Sequence, residues 1–297
     1  MSTEQKTFAI ESDNTSRLST SGLILDHVNF PTNTQSQLAW QDILHGIFKW
    51  PIWFMLAYQD IKLRYRRSIL GPFWITISMA ITVYSMGYLY AHLFHMDLAS
   101  YYPFLVAGML TWSLISGILV EMTDGYTSYE GLIKQIKLPY TLHIHRIVMR
   151  NILVFFHNIL VMLPIYVIFH ETTKIQLNIL MMIPGLLIIY INGITYGTIF
   201  ALIGARFRDV SQIIKSLIQV IFFITPVMWS PTALNNKKFF IVDYNPFYAC
   251  IELIRAPMLG SMPTKKVIYM AAFVTILGCV ISWKMFMRYR SRIVYWL

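Results

Sequence analysis

The chain has 297 residues, 56 % of them hydrophobic and only 13 % charged, with a mean hydropathy of +0.55. Soluble domains average about 45–50 % apolar and about 25 % charged, and a folded chain of this size could not hide the surplus, so an ordinary soluble protein is excluded in favour of a polytopic membrane protein. Two cysteines exclude a disulfide scaffold, 15 % aromatic content argues against disorder, and a net charge of +10 in a membrane protein suits cytoplasmic loops better than nucleic acid.

Residues 1–36 are polar and lack a basic segment followed by an apolar one, so they read as a flexible cytoplasmic extension rather than a signal peptide. The sequon Asn14-Thr15-Ser16 is a chance match in such a segment. Residues 37–69 are amphipathic and predict interfacial helices. Pro51 suits the first turn of one of them. Phe54, Ala57, Tyr58, Ile61 and Tyr65 share one face of it at helical spacing. Gln59, Asp60, Lys62, Arg66 and Arg67 occupy much of the rest, and Trp40, Trp50 and Trp53 add amphipathic rings. This mixture fits the lipid headgroup layer; the alternative is a solvent-facing helix packed on the protein.

Gly71-Pro72 ends that helix. Six apolar stretches follow that can each cross a core of about 30 Å, which takes roughly 20 residues. They lie at about 70–94, 102–121, 148–169, 178–203, 211–230 and 267–287, with a basic tail over 288–297. The predicted fold is therefore all-α and polytopic: six transmembrane helices, an N-terminal interfacial amphipathic helix and short re-entrant helices. Lys62, Arg64, Arg66 and Arg67 precede the first span. Lys134, Lys137 and Arg146 follow the second, with Arg150 just inside the third; Arg206, Arg208 and Lys215 surround the next such turn, and Arg288, Arg290 and Arg292 end the chain. The alternate short loops hold only Lys174, so both termini are placed in the cytoplasm. The segment after the fifth span, with Lys237, Lys238, Arg255, Lys265 and Lys266, departs from this bias, but it is longer and is diluted by Asp243 and Glu252.

No phosphate-cradling P-loop, no dinucleotide fingerprint and no His-Glu-x-x-His is present, so the sequence predicts no cofactor. The pairs His92/His95 and His143/His145 lack further ligands, so no metal site is predicted. No Asp or Glu stands in the middle of a span, and Glu121 sits at a predicted end. Ion-coupled transport and intramembrane catalysis both need such groups. A transporter of this composition would draw its energy from another subunit.

The spans carry two polar stripes. Span one has Trp74, Ser78, Ser85, Tyr88 and His92 at helical spacing, with Tyr84 beside them. Span five has Gln212, Ser216, Gln219, Phe223, Pro226 and Ser230, with Phe222 and Trp229 adding rings. Such rows are costly against lipid and face either a hydrated path or a helix–helix contact. Gly193 and Gly197 form a small-xxx-small match that reads as packing. Between spans two and three, Glu130 and Lys134 form an i, i+4 pair on a short helix ended by Pro139, suited to docking on a soluble partner or serving as a plain connection. Between 226 and 265 the apolar chain is broken by Pro226, Pro231, Pro246, Pro257 and Pro263 into pieces too short to span.

Four segments in this order, Asp60–Trp74, Glu130–Asn151, Gly204–Ile213 and Thr225–Phe247, resemble the membrane subunit of type-2 ABC exporters of polysaccharides such as O-antigen, capsule or teichoic acid. The resemblance runs from about Gln37 to the C-terminus. It implies a channel formed by two copies of the chain with two copies of a separate cytoplasmic ABC ATPase that holds ATP and Mg. The cargo would be a lipid-linked polysaccharide and the location the bacterial inner membrane. It implies an interface helix carrying Trp53, Tyr58, Asp60, Arg64, Arg66 and Arg67. The ATPase-coupling helix would hold Glu130, Gly131, Leu132, Ile133, Lys134 and Gln135. Spans one and five would line the pore with Ser78, Tyr84, Ser85, Tyr88, His92, Gln219, Phe222 and Phe223, and a periplasmic gate would include Pro226, Trp229, Pro231, Tyr244 and Pro246. The chain itself would not be an enzyme. The alternative is a multi-pass sugar or acyl transferase of lipid-linked glycan assembly, for which Asp60, Asp124 and Asp209 are the acids to test.

Overall fold

Long apolar runs with few breakers fold as helices, because each helix satisfies its own backbone hydrogen bonds without help from water. The structure, a computed structural model, describes residues 34–173, 176–231 and 240–297 and contains no strand among them. Most of the N-terminal extension, with its sequon, and Lys174, Lys237 and Lys238 lie outside the described residues. In chain order the helices are α1 (Gln35–Phe48), α2 (Trp50–Arg64), α3 (Phe73–Leu93), α4 (Leu98–Thr123), α5 (Glu130–Gln135), α6 (Tyr140–Asn158), α7 (Met162–Ile168), α8 (Met182–Arg206), α9 (Val210–Ile224), α10 (Phe240–Asp243), α11 (Pro246–Met258), α12 (Lys265–Tyr289) and α13 (Ile293–Trp296). Residues Gln35–Leu297 form one compact unit.

Five stretches are long and apolar enough to cross a membrane: Phe73–Leu93, Leu98–Thr123, Tyr140–Ile168, Leu177–Arg206 and Lys265–Trp296. They correspond to predicted spans one, two, three, four and six. The predicted span 211–230 is shorter than expected. Its helix α9 has 15 residues, about 22 Å of rise against a core of about 30 Å. Pro226 is the cause: it offers no N–H and pushes the preceding residue out of the helical region, and Thr225 accordingly has φ −82° and ψ 136°.

Helix α4 is the hub. Asp97 caps its start, accepting from the backbone N–H of Ser100 at 3.0 Å and its hydroxyl at 2.6 Å, which holds the exposed carboxyl below its usual pKa. Leu105, Val106, Leu110, Leu114 and Ile118 along it are buried beneath α3, α6, α8, α9 and α11. One stripe of α8 is glycine because its neighbours leave no room. A Cβ at Gly204 would lie 1.8 Å from the Thr123 carbonyl oxygen, one at Gly197 2.9 Å from Met122, and one at Gly193 3.1 Å from Val148. This is the packing role expected of the Gly193/Gly197 pair.

The buried ridge of α2 is Trp53, Ala57 and Ile61, at four-residue steps. Phe54 and Tyr58, which the sequence places on one face with Ala57 and Ile61, are 40 % and 58 % exposed. The start of α6 is capped from a distance. Pro139 has no side-chain cap to offer, and Asp42 of α1 supplies one: its carboxylate accepts from the N–H groups of Tyr140 at 3.2 Å and Thr141 at 3.1 Å. Arg290 Nε donates to the same carboxylate at 3.0 Å, so α1, α6 and the C-terminal turn share one buried anion.

Candidate functional site

Three regions depart from plain helix packing. The first is the pair of polar stripes. On α3, Trp74, Ser78, Ser85, Tyr88 and His92 are all exposed. His92 Nδ1 lies 2.8 Å from the Tyr88 carbonyl oxygen, and the two rings are 4.3 Å apart. Tyr84 is turned into the bundle instead, donating its hydroxyl to the Val161 carbonyl at 2.6 Å. On α9, Gln212, Ser216, Gln219 and Phe223 are exposed, while Phe222 is half-buried against Trp112 at 5.6 Å. Two hydroxyl-, amide- and ring-bearing faces therefore stand open on the isolated chain, the one on α9 with Lys215 exposed beside it near the start of the helix.

The second region is the break after α9. Helix α9 stops at Ile224, and non-helical backbone at this depth needs partners from the protein. Arg255 of α11, 1 % exposed, supplies one: its Nη1 donates to the Pro226 carbonyl at 2.8 Å. The rest of its guanidinium is held by Glu252 at 2.7 and 2.9 Å, and its Cζ sits 4.0 Å over the Phe104 ring. Asn245 works from the other side of the break. Its Oδ1 accepts from the N–H groups of Phe247 and Tyr248, capping α11, and its amide donates to the Thr225 hydroxyl at 3.0 Å. Trp229 Nε1 donates to the Phe223 carbonyl at 3.2 Å, Pro226 is buried, Pro231 and Pro246 are half-buried, and Tyr244 is 63 % exposed. A Cβ at Gly108 of α4 would lie 2.8 Å from the Val227 carbonyl oxygen, so the broken segment sits directly on the hub helix.

The third region lies where α2, the end of α4 and the start of α6 meet. Asp60 accepts from Arg146 Nε at 2.8 Å and Arg150 Nη1 at 2.9 Å. Burial works to raise its pKa, but the two guanidinium groups outweigh this and hold the carboxyl below its usual value. Arg150 also donates to Glu121 at 2.8 Å, joined there by Asn151 at 2.6 Å and Arg64 at 3.3 Å. Tyr129 closes the network: its hydroxyl accepts from Arg150 at 3.1 Å, and Arg146 stacks on its ring at 4.2 Å. Tyr129 immediately precedes α5, where Lys134 pairs with Glu130 at 2.6 Å and keeps the Glu130 carboxyl below its usual pKa. Gly131, Lys134 and Gln135 are exposed, and Leu132 and Ile133 half-buried. Arg66 and Arg67 are exposed.

The remaining sequence candidates are dispersed. Asp124 accepts from the Ser211 hydroxyl at 2.9 Å, and Asp209 is exposed at the start of α9. His145 stacks on Trp53 at 5.4 Å and shares a hydrogen bond with Tyr190, while His143 stacks on Tyr129. Among the described residues no three His, Cys, Asp or Glu side chains stand close enough to hold a metal.

The model of one protein family, described as ABC-2 type transporter, matches residues 52–259, which include all three regions. The chain belongs to this family of transporter membrane domains. Relatives of this ABC-2 protein include two O-antigen export system permease proteins RfbA of Klebsiella pneumoniae, each 21 % identical to it. Their matches cover 80 % and 79 % of this chain and 92 % of each relative. An RfbA of Myxococcus xanthus is 20 % identical over 62 % of this chain and 70 % of its own length. The resemblance read from the sequence is thus matched by the family and by relatives named as export permeases, and the protein is an integral membrane transporter component.

Two residues that hold the broken segment of this ABC-2 protein in place escaped sequence reasoning. Arg255 entered it only as a charge in an ambiguous loop, and Asn245 only as part of the Thr225–Phe247 segment that carries the resemblance. The usable signal was their company: an arginine inside an apolar, proline-broken segment needs a buried acceptor, and Asn before Pro is a helix-start pattern.

Proposed function

We propose that this chain is the channel-forming permease of an ATP-driven exporter that moves a lipid-linked polysaccharide, of O-antigen or capsule type, across the bacterial inner membrane. The reading has it working as a homodimer, with two copies of a separate cytoplasmic ABC ATPase that bind ATP and Mg. Both termini are cytoplasmic in this reading, so α5 and the Asp60–Arg146–Arg150 network face the ATPase and the break after α9 faces the periplasm as a gate.

The observation that carries the proposal is the pair of open stripes on α3 and α9. Against hydrocarbon their hydroxyl and amide groups are costly. Between two copies of the chain they line a path that is polar and, beyond Lys215 near the start of α9, uncharged. A sliding polymer favours such a wall: ionic anchors would hold it at fixed points, whereas ring faces such as Tyr88 and Phe223 can be re-engaged sugar by sugar, as aromatic platforms serve single-stranded nucleic acids. The relatives named as O-antigen export permeases support the cargo class.

The α5 helix is the proposed docking point for the ATPase, and the Tyr129 network is its mechanical root, since Tyr129 joins α5 to α2, α4 and α6. The test is reconstitution. The purified chain alone should hydrolyse no ATP, because it has no phosphate-cradling loop. Combined with its ATPase in proteoliposomes, it should translocate lipid-linked polysaccharide on addition of ATP. Glu130→Lys should lower translocation per ATP by less than about tenfold, since the pair is exposed. ATP hydrolysis by preparations verified to contain only this chain, or ATP-independent sugar transfer, would overturn the proposal.

A further inference from the structure

Helices α4, α8, α11 and α12 line a cavity of about 410 Å³. Its wall includes Ile118, Ile189, Phe200, Phe247, Phe273 and Leu277, and none of its lining comes from α3 or α9. Phe273 and Leu277 of α12 are 60 % and 42 % exposed, so the mouth opens on the outer face of a membrane-spanning helix. Two polar side chains reach the lining: Tyr196, whose hydroxyl donates to the Val274 carbonyl at 2.9 Å, and Asn192, whose amide nitrogen lies 4.0 Å from Cys250 Sγ and whose buried Oδ1 has no hydrogen-bond partner.

The surroundings select the occupant. A lining this apolar cannot hold a water cluster, because each water needs two to four polar partners. The volume lies in the range of ligand sites, about 300–1,000 Å³, rather than of packing voids. The mouth meets hydrocarbon, so the occupant arrives from the bilayer. Along α8 the lining runs from Ile189 to Phe200, an axial rise of about 16 Å, which is about half of a 30 Å hydrocarbon core and so the reach of one leaflet's chains. We propose that this cavity binds one acyl chain of a bulk membrane phospholipid. The chain supports Phe247, which meets Trp112 edge-on at 6.0 Å, and Trp112 in turn carries Phe222 of α9 at 5.6 Å. Bilayer lipid thereby steadies the helix that bears one of the open stripes.

The experiment uses the full chain in nanodiscs of phosphatidylethanolamine and phosphatidylglycerol, a fraction of which carries a diazirine on the acyl chain, with no glycolipid present. After illumination, adducts should concentrate on peptides containing Ile189–Phe200 and Met270–Leu277, above the level on the exposed Val167 and Ile168 of α7. Cys250→Trp fills the cavity from its inner wall and Leu277→Trp obstructs it from the mouth. Each should lower the cavity adducts severalfold and leave the α7 adducts unchanged. The α7 signal reports an inserted, folded chain, and Leu277→Trp serves alone if Cys250→Trp does not fold. Adducts spread evenly over all outward-facing helices, or cavity adducts unmoved by a folded variant, would overturn the assignment.

Discussion

Arg255→Ala should be among the most damaging single substitutions in the chain, lowering the stability of the fold by about 3–5 kcal/mol, the usual cost of removing one partner of a buried charge pair. Three losses coincide. The Pro226 carbonyl loses its donor, Glu252 keeps a largely buried carboxylate with no cation, and the Phe104 ring loses the guanidinium stacked on it. A carbonyl orphaned in this way costs about 1–3 kcal/mol by itself. Arg255→Lys retains the charge but not the planar fork that reaches Pro226 and Glu252 together, so it should fall between wild type and Ala. The thermal unfolding midpoint in detergent measures both variants. An Ala variant within about 0.5 kcal/mol of wild type, the range of ordinary surface changes, would contradict this account of the break.

Asp42→Ala should cost about 3 kcal/mol, because it strips the cap from α6 and leaves Arg290 without its partly buried acceptor. Asp42→Asn keeps one acceptor oxygen, which can hold the Thr141 bonds now made to Oδ1, while the amide in place of Oδ2 meets the Tyr140 N–H and Arg290 Nε donor to donor. Its cost should fall between wild type and Ala. Backbone hydrogen exchange resolves the site: the amides of Tyr140 and Thr141 should both lose protection in Asp42→Ala, and in Asp42→Asn Thr141 should keep more of its protection than Tyr140. Unchanged protection in the Ala variant would mean that α6 does not depend on this cap.

Much of this architecture is legible in the sequence, for identifiable reasons. A span is a local property of some twenty residues, so the five long helices are visible as apolar runs. The early end of α9 is also local, written in Pro226, although the apolar residues beyond it extend the predicted span past the helix. The stripe on α3 is coherent because Trp74, Ser78, Ser85, Tyr88 and His92 keep steps of three, four or seven residues. Tyr84 stands at the edge of the stripe, about 40° around the helix from Tyr88 and about 100° from Ser85, and its hydroxyl reaches into the bundle to the Val161 carbonyl. The pair Glu130–Lys134 is equally local.

Partnerships across the fold are not legible. Asp42 meets Thr141, and Asp60 meets Arg146 and Arg150, only because α1, α2 and α6 come together, and nothing in the intervening chain encodes that meeting. Read alone, Asp60 is one polar residue of an amphipathic helix; in the fold it is the anchor of two arginines. The α2 face was misread for a related reason. Trp53, Phe54, Ala57 and Tyr58 all suit a half-apolar surface, and the packing against α6 decides that Trp53 and Ala57 go inward and Phe54 and Tyr58 outward.

Whether the stripes of α3 and α9 line the route of the exported polymer is decided by placing the photo-crosslinking residue p-benzoylphenylalanine singly at Tyr88, Phe223 and Ile276 in a working exporter. Ile276, 65 % exposed on α12, is the control on the outer face, and Tyr88 and Phe223 are comparably exposed at 62 % and 66 %. During active export, crosslinks to the polysaccharide should form at Tyr88 and Phe223 and stay at background at Ile276. Background signal at both stripe positions while export continues, or equal capture at all three, would contradict the account.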